Sequence, residues 1–249
     1  MYLDGEFMTY TSIENDKIKE IKKLQLKKYR DLTGNFIVEG EHLIEEAYNA
    51  GLLNTIILGE DVTLEKEYKD ITVMVCNHKV MRFLSELDTP NKVLGICKKK
   101  TGVIKGNKIL ALDNVQDPGN LGTIIRSSVA FNVDTIILSN TTVDLYNSKV
   151  IRASQGMIFD ANIVIGDLKE LLGNLENYTI YGTRVDGGKE LKTISKEEKQ
   201  IIIMGNEGKG VSKEILDMCD EYLYINMNNN CESLNVAVAT SIILYELDK

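Results

Sequence analysis

The second half of the chain carries short apolar, β-branched runs with no polar residues alternating through them. They include Ile109-Leu110-Ala111-Leu112, Thr135-Ile136-Ile137-Leu138 and Ile201-Ile202-Ile203-Met204. A strand with one wet face alternates, whereas a strand apolar at every position is covered on both faces, as parallel strands between helical layers are. Asn162-Ile163-Val164-Ile165, Thr179-Ile180-Tyr181 and Tyr222-Leu223-Tyr224-Ile225 extend the series, with helical segments between them. The pattern predicts an α/β domain with a mostly parallel sheet over residues 106–249. A helix from about Ser233 to Glu246 closes it. Leu234, Val236, Ala237, Val238, Ala239, Ile242, Ile243 and Leu244 leave that helix almost no polar face. An all-round apolar helix must be buried on every side, so a subunit interface, and hence a homodimer, is expected, with burial in the domain core alone as the alternative.

The first part also alternates helix and strand, and at 249 residues the chain has room for two domains. A basic helix is predicted over 16–31, followed by the strand Phe36-Ile37-Val38 and a helix from Glu41 to Ala50 stopped by Gly51. Thr55–Leu58, Thr72–Val75 and Val93–Cys97 read as strands, with a helix over His78–Leu87. This is a small α/β sandwich over residues 11–101, and the glycine-punctuated stretch 102–107 is the expected linker. Residues 1–10 fit no later pattern, and Met8 is a candidate alternative start.

The net charge of −8 argues against a nucleic-acid partner until its distribution is examined. Residues 17–30 hold seven basic side chains against one acidic. Lys22, Lys23, Lys27, Lys28 and Arg30 are therefore candidate RNA contacts, since phosphate binding needs local positive charge. A solvated helix face, with Ile18, Ile21, Leu24 and Tyr29 as its buried stripe, is the alternative. Cys76, Cys97, Cys219 and Cys231 form no Cys-x-x-Cys pair, and His42 and His78 stand apart, so no metal site is expected. No apolar run is long enough to span a bilayer and the first residues lack a signal-peptide core, which points to the cytoplasm.

Three loops follow strand ends, where open α/β sheets bind ligands. The first runs Asp113-Asn114-Val115-Gln116-Asp117-Pro118-Gly119-Asn120-Leu121-Gly122 into a helix carrying Arg126. The second is Gly205-Asn206-Glu207-Gly208-Lys209-Gly210-Val211-Ser212, and the third runs from Asn226 to Asn235. Gly205 and Gly210 have P-loop spacing, but Val211 stands where the lysine is needed, and the dinucleotide fingerprint is also missing.

Together these loops resemble the three motifs of the SpoU, or TrmH-like, branch of the SPOUT RNA methyltransferases. The matching segments are Asn120–Arg126, Met204–Ser212 and Glu232–Ala237, with Lys149–Gly156 similar to the connecting stretch and Arg152 within it. Phe36–Leu43 is similar to the branch's N-terminal substrate-binding domain, which is related to ribosomal protein L30e. The resemblance covers nearly the whole chain. It implies an L30e-like sandwich followed by a SPOUT domain with a C-terminal trefoil knot. It also implies methyl transfer from S-adenosylmethionine to a ribose 2′-hydroxyl of structured RNA, with 23S ribosomal RNA the expected target. Transfer RNA and a catalytically lapsed RNA-binding protein are the alternatives.

By the same resemblance, Met204, Gly205, Ile225, Met227 and Leu234 hold the cofactor, and Asn120, Arg126, Glu207, Ser233 and Asn235 serve catalysis. Arg126 clamps phosphate and orients the hydroxyl, because a guanidinium stays protonated and makes a poor general base. Asn120 and Ser233 have a second reading as caps of the helices that follow them. One departure concerns the third motif, where the family's Ile-Pro-Met-x-Gly is replaced by Ile225-Asn226-Met227-Asn228-Asn229. Asparagine tolerates the left-handed conformation, so Asn229 is expected to take over the glycine's turn.

Overall fold

The computed structural model describes residues 9–194 and 197–248; Met8, residues 1–8 generally and Lys249 lie outside it. The chain forms two compact units. One holds the chain up to Lys100 together with Tyr146–Arg152, and the other holds Thr101–Leu145 and the chain from Ala153 onward.

The first unit runs β1 (Thr9–Tyr10), α1 (Asp16–Lys23), α2 (Lys27–Thr33), β2 (Asn35–Glu39), α3 (Glu41–Asn49), β3 (Leu53–Gly59), β4 (Thr72–Cys76), α4 (His78–Leu84) and β5 (Val93–Lys98). Its five-stranded mixed sheet is ordered β1-β4-β3-β5-β2. β1 and β3 run parallel to β4, while β2 and β3 run antiparallel to β5. Ile18 and Ile21 of α1 bury against Ile57, Met74, Val80 and Leu84.

The expected single helix over 16–31 is in fact two, broken at Leu24–Leu26. Leu26 is extended (φ −99°, ψ 130°) and stands at the N-cap of α2. Arg30 makes the break tenable: it is buried, and its Nη1 donates to the carbonyls of Leu24 (2.8 Å) and Gln25 (2.7 Å). Lys22 is also engaged internally, its ammonium donating to the Phe83 carbonyl at 2.6 Å. Of the basic candidates on this segment, Lys23, Lys27 and Lys28 are the exposed ones. Lys27 and Lys99 both reach Asp31, and their hydrogen bonds pull its carboxyl down to about 2. The helix expected over 78–87 ends at Leu84, where the Ser85 backbone turns extended. The buried Glu39 carboxylate then collects the Ser85 hydroxyl and the Glu86 N–H.

The second unit contains β6 (Lys108–Leu112), α5 (Pro118–Ala130), β7 (Thr135–Ser139), α6 (Ser148–Ser154, begun in the first unit), α7 (Met157–Asp160), β8 (Ile163–Gly166), α8 (Leu168–Gly173), β9 (Thr179–Thr183), β10 (Lys189–Glu190), β11 (Gln200–Met204), α9 (Lys213–Leu216), β12 (Glu221–Tyr224) and α10 (Val236–Leu247). Seven strands, all parallel, are ordered β10-β12-β9-β11-β6-β7-β8. β7 and β11 are buried at every residue, as double coverage demands. The two-residue strands β1 and β10 are too short to leave a sequence pattern. Because the strands are parallel, the turns after β6, β9, β11 and β12 leave the same edge of the sheet, and those four strands are neighbours.

The stretch 102–107 is not a slack linker. Gly102 N–H donates to the Ile163 carbonyl, Lys105 exchanges hydrogen bonds with the Thr135 hydroxyl, and Asn107 N–H donates to Asp134. The last helix, expected from about Ser233, begins at Val236. It buries Val236, Ala237, Thr240, Ile243, Leu244 and Leu247, but Val238, Ile242 and Tyr245 remain 49%, 39% and 57% exposed. Among the described residues no helix is long and apolar enough to cross a membrane.

Candidate functional site

Each loop at the shared sheet edge is held by its own short-range bonds. After β6, Asp113 and Asn114 lead to Asp117, whose carboxylate accepts from the Asn120 N–H at 2.8 Å and so caps α5, with Pro118 in its first turn. Asn120 is therefore not the cap; its side chain is left for other work. After β11 the chain makes a tight turn in which Asn206 and Gly210 exchange backbone hydrogen bonds at 2.9–3.0 Å. The Asn206 side chain accepts from the Gly208 and Lys209 N–H groups and donates to the Asn114 carbonyl. Gly205 is obligatory here, because a Cβ would fall inside the backbone of Gly210 and Val211. The buried Asp113 carboxylate accepts from Ser212 N–H at 2.7 Å and fastens the far end of the turn.

After β12, the expected left-handed Asn229 is not found: its φ is not positive. The turn closes instead through Asn228, whose carbonyl accepts from Cys231 N–H (2.9 Å) and whose side chain accepts from Asn230 N–H (2.9 Å). Ser233 is not the cap of the last helix. That helix begins at Val236, and Asn235 caps it by accepting from the Ala237 and Val238 N–H groups.

Two hydrogen bonds then join all three loops. Asn235 Nδ2 donates to Asn120 Oδ1 at 2.9 Å, and Asn120 Nδ2 donates to Glu207 Oε1 at 3.2 Å. Glu207 also accepts from the backbone N–H groups of Asp117 (2.9 Å) and Gln116 (3.1 Å). Partial burial pushes its carboxyl up, but these donors together outweigh it and hold the group below its ordinary value, as a carboxylate. Asn120, Glu207 and Asn235, from sites 87 and 115 positions apart, thus form one chain of contacts.

Beside this chain lies a cleft of about 530 Å³. All five expected cofactor residues, Met204, Gly205, Ile225, Met227 and Leu234, line it, together with Glu207 and Ser233. Its apolar floor comes from Leu216, Leu223, Val236, Ala239 and Ile243. Asn120 and Asn235 are not among the lining residues; Asn120 reaches Glu207 directly and Asn235 only through Asn120. Arg126 does not line it; it stands exposed on α5, six residues or about 9 Å beyond Asn120. Arg152 and the basic candidates of α1 and α2 belong to the first unit.

Sequence reasoning missed a fourth wall. Thr183, Arg184, Val185 and Asp186 follow β9 and line the same cleft. The strand-end rule that found the other three loops applies to β9 as well, and Arg184-Val185-Asp186-Gly187-Gly188 carries a charge and glycine signal that could have found it.

The SpoU rRNA Methylase family matches residues 107–245, and the MRM3-like substrate binding domain matches residues 15–95. The 23S rRNA (guanosine(2553)-2′-O)-methyltransferase RlmP of Bacillus subtilis is 35% identical over 241 residues, covering 95% of this chain and 97% of that protein. The crystal structure of an rRNA methyltransferase from Sinorhizobium meliloti superimposes with a TM-score of 0.87 at 30% identity, covering 98% of each chain. The AdoMet-bound structure of an rRNA methyltransferase from that organism gives 0.86 at the same identity and coverage.

Proposed function

This chain belongs to the SpoU rRNA methylase family, and from that premise we propose that it methylates the ribose 2′-hydroxyl of a guanosine in 23S ribosomal RNA. Its activity class is S-adenosylmethionine-dependent 2′-O-methylation of ribosomal RNA. The observation that carries the finer target is the 35% identity, over 95% of the chain, with an enzyme acting on a 23S guanosine. The MRM3-like domain, with Lys23, Lys27 and Lys28 exposed, supports a structured RNA substrate.

The cleft fits the cofactor. Leu223, Val236 and Ile243 offer apolar surface to a flat purine and a thioether arm, and strand-end backbone at Gly205, Ile225 and Leu234 supplies polar groups for the adenosine edge. S-adenosylmethionine supplies an electrophilic methyl group on a sulfonium. The remaining tasks are to exclude water, to align the ribose hydroxyl and to favour loss of its proton. Glu207, Asn120 and Asn235 hold the loops that frame the cleft, and Ser233 sits on its rim. Arg126 is the cation that clamps the target's phosphate and orients its hydroxyl.

The trefoil knot and the homodimer are part of the same proposal. The former rests on membership of the family alone. The exposed stripe Val238, Ile242 and Tyr245, extended by Phe131 (ring centroid 5.9 Å from Tyr245), supports the latter. Ile242→Asp is expected to convert a dimer into a folded monomer. Sedimentation equilibrium reads the mass and circular dichroism the fold; a monomeric wild type at micromolar concentration removes the dimer from the proposal.

The substrate is tested with labelled S-adenosylmethionine and separate pools of unmodified 23S, 16S and transfer RNA. Label is expected in 23S RNA alone, in an alkali-resistant dinucleotide with guanosine on its 5′ side. Label in transfer RNA instead overturns the target. No label in any pool, without cofactor binding, favours a lapsed RNA-binding protein.

A further inference from the structure

We infer that Arg184 is the residue that recognises the α-carboxylate of the cofactor. The inference rests on the reading of the cleft as the S-adenosylmethionine site. The charged side chains lining the cleft are Arg184, Asp186, Glu207 and Lys209. Glu207 is committed to the loops, as described. Both cations are exposed, but among the described residues Lys209 has no counterpart to the ring contact that holds Arg184. Its N–H donates to the Leu223 carbonyl at 2.9 Å. Its guanidinium carbon lies 4.2 Å from the centroid of the Tyr222 ring, and Tyr222 is itself held by a hydrogen bond from its hydroxyl to the Leu216 carbonyl.

Among the described residues no carboxylate forms an ion pair with Arg184, in a protein with eight more acidic than basic side chains. The contact with the Tyr222 ring uses none of the guanidinium's hydrogen-bonding capacity for an anion, so its N–H groups stay available to an acceptor. The planar fork matches a carboxylate in a two-point hydrogen bond, which a lysine cannot reproduce. S-adenosylmethionine carries one anionic group, its α-carboxylate; the sulfonium and the α-ammonium are both cations. A preorganised arginine on the wall of the cleft is complementary to that one group and repelled by the other two. It therefore fixes which end of the amino-acid arm approaches β9. Arg184 is exposed, so solvent screens the pair and its effect on affinity is moderate, about tenfold.

The test uses the full-length protein and two ligands that differ by the carboxylate alone, S-adenosylmethionine and its decarboxylated form. Calorimetric titration of the wild type is expected to favour S-adenosylmethionine by about tenfold. In Arg184→Gln that preference should vanish through loss of S-adenosylmethionine affinity, with decarboxylated ligand binding unchanged or slightly tighter. Arg184→Lys should retain part of the preference, and Lys209→Gln all of it. Equal weakening of both ligands in Arg184→Gln would mean general damage to the cleft and overturns the assignment. So does an unchanged preference, or an effect confined to RNA affinity, which would make Arg184 a phosphate contact. A wild type that binds neither ligand defeats the cofactor reading of the cleft instead, so the two failures are distinguishable.

Discussion

Replacing Arg126 with alanine is expected to lower the single-turnover methylation rate by about 10²- to 10³-fold, the range seen when a preorganised charge aimed at a reaction centre is removed. Affinity for S-adenosylmethionine should be unchanged. The separation follows from placement. Arg126 projects from an exposed position on α5, contributes nothing to the wall of the cleft, and makes none of the hydrogen bonds that join the three loops. Removing it therefore costs little stability, as exposed substitutions usually do. Its effect should appear in the chemical step because charge develops at the ribose oxygen as its proton leaves. Arg126→Lys keeps the charge but loses the two-point grip on phosphate and should recover only part of the rate. Rapid-quench measurement at saturating RNA and cofactor reads the rate, and equilibrium titration reads the binding. Unchanged turnover in folded Arg126→Ala removes the arginine from the reaction.

Gly205→Ala should do the opposite and act on binding first. The added methyl group has no space: it would overlap the main chain of Gly210 and Val211, which cannot swing aside as a flexible side chain can. Either the Asn206–Gly210 bridge opens or β11 shifts at its end. Overpacking of this kind costs about 1–3 kcal/mol in well-packed cores, and a clash with backbone belongs at the upper end. Because Gly205 and its neighbours form a wall of the cleft, the cost falls on the cofactor site. A loss of about 100-fold in S-adenosylmethionine affinity is expected, with the melting temperature lowered by a few degrees. Calorimetry and thermal denaturation read the two effects. Wild-type affinity in this variant would show that the turn is not required to stay closed.

The parallel sheet was legible because its strands are apolar at every position, and the three loops because they follow those strands and carry unusual residue clusters. The roles within the loops were less legible. Whether Asp117 or Asn120 caps α5, and whether Ser233 or Asn235 caps α10, depends on one turn of backbone, and all four residues are of types competent to cap. The break at Leu24–Leu26 was hidden because the helical spacing of apolar residues continues through it. What satisfies the break is a buried Arg30 donating to the carbonyls of Leu24 and Gln25, where charge counting assigns an arginine to the surface. The β9 loop, Thr183-Arg184-Val185-Asp186-Gly187-Gly188, matches none of the three motifs and gains its meaning from lying beside β11 and β12. The exposed stripe on α10 shows the limit of composition: an all-apolar helix predicts burial, but not by what.

The sheet order has a consequence for the chain during its synthesis. β6 and β11 are central neighbours, yet 87 residues separate the end of one from the start of the other. Ile243, in the last helix, is still part of the cleft. A ribosome that has released the first unit and β6–β8 has produced a surface with no place for the cofactor. On the proposed reading of the cleft, cofactor capture awaits the emergence of α10, and the nascent protein stays blind to S-adenosylmethionine until α10 has been made.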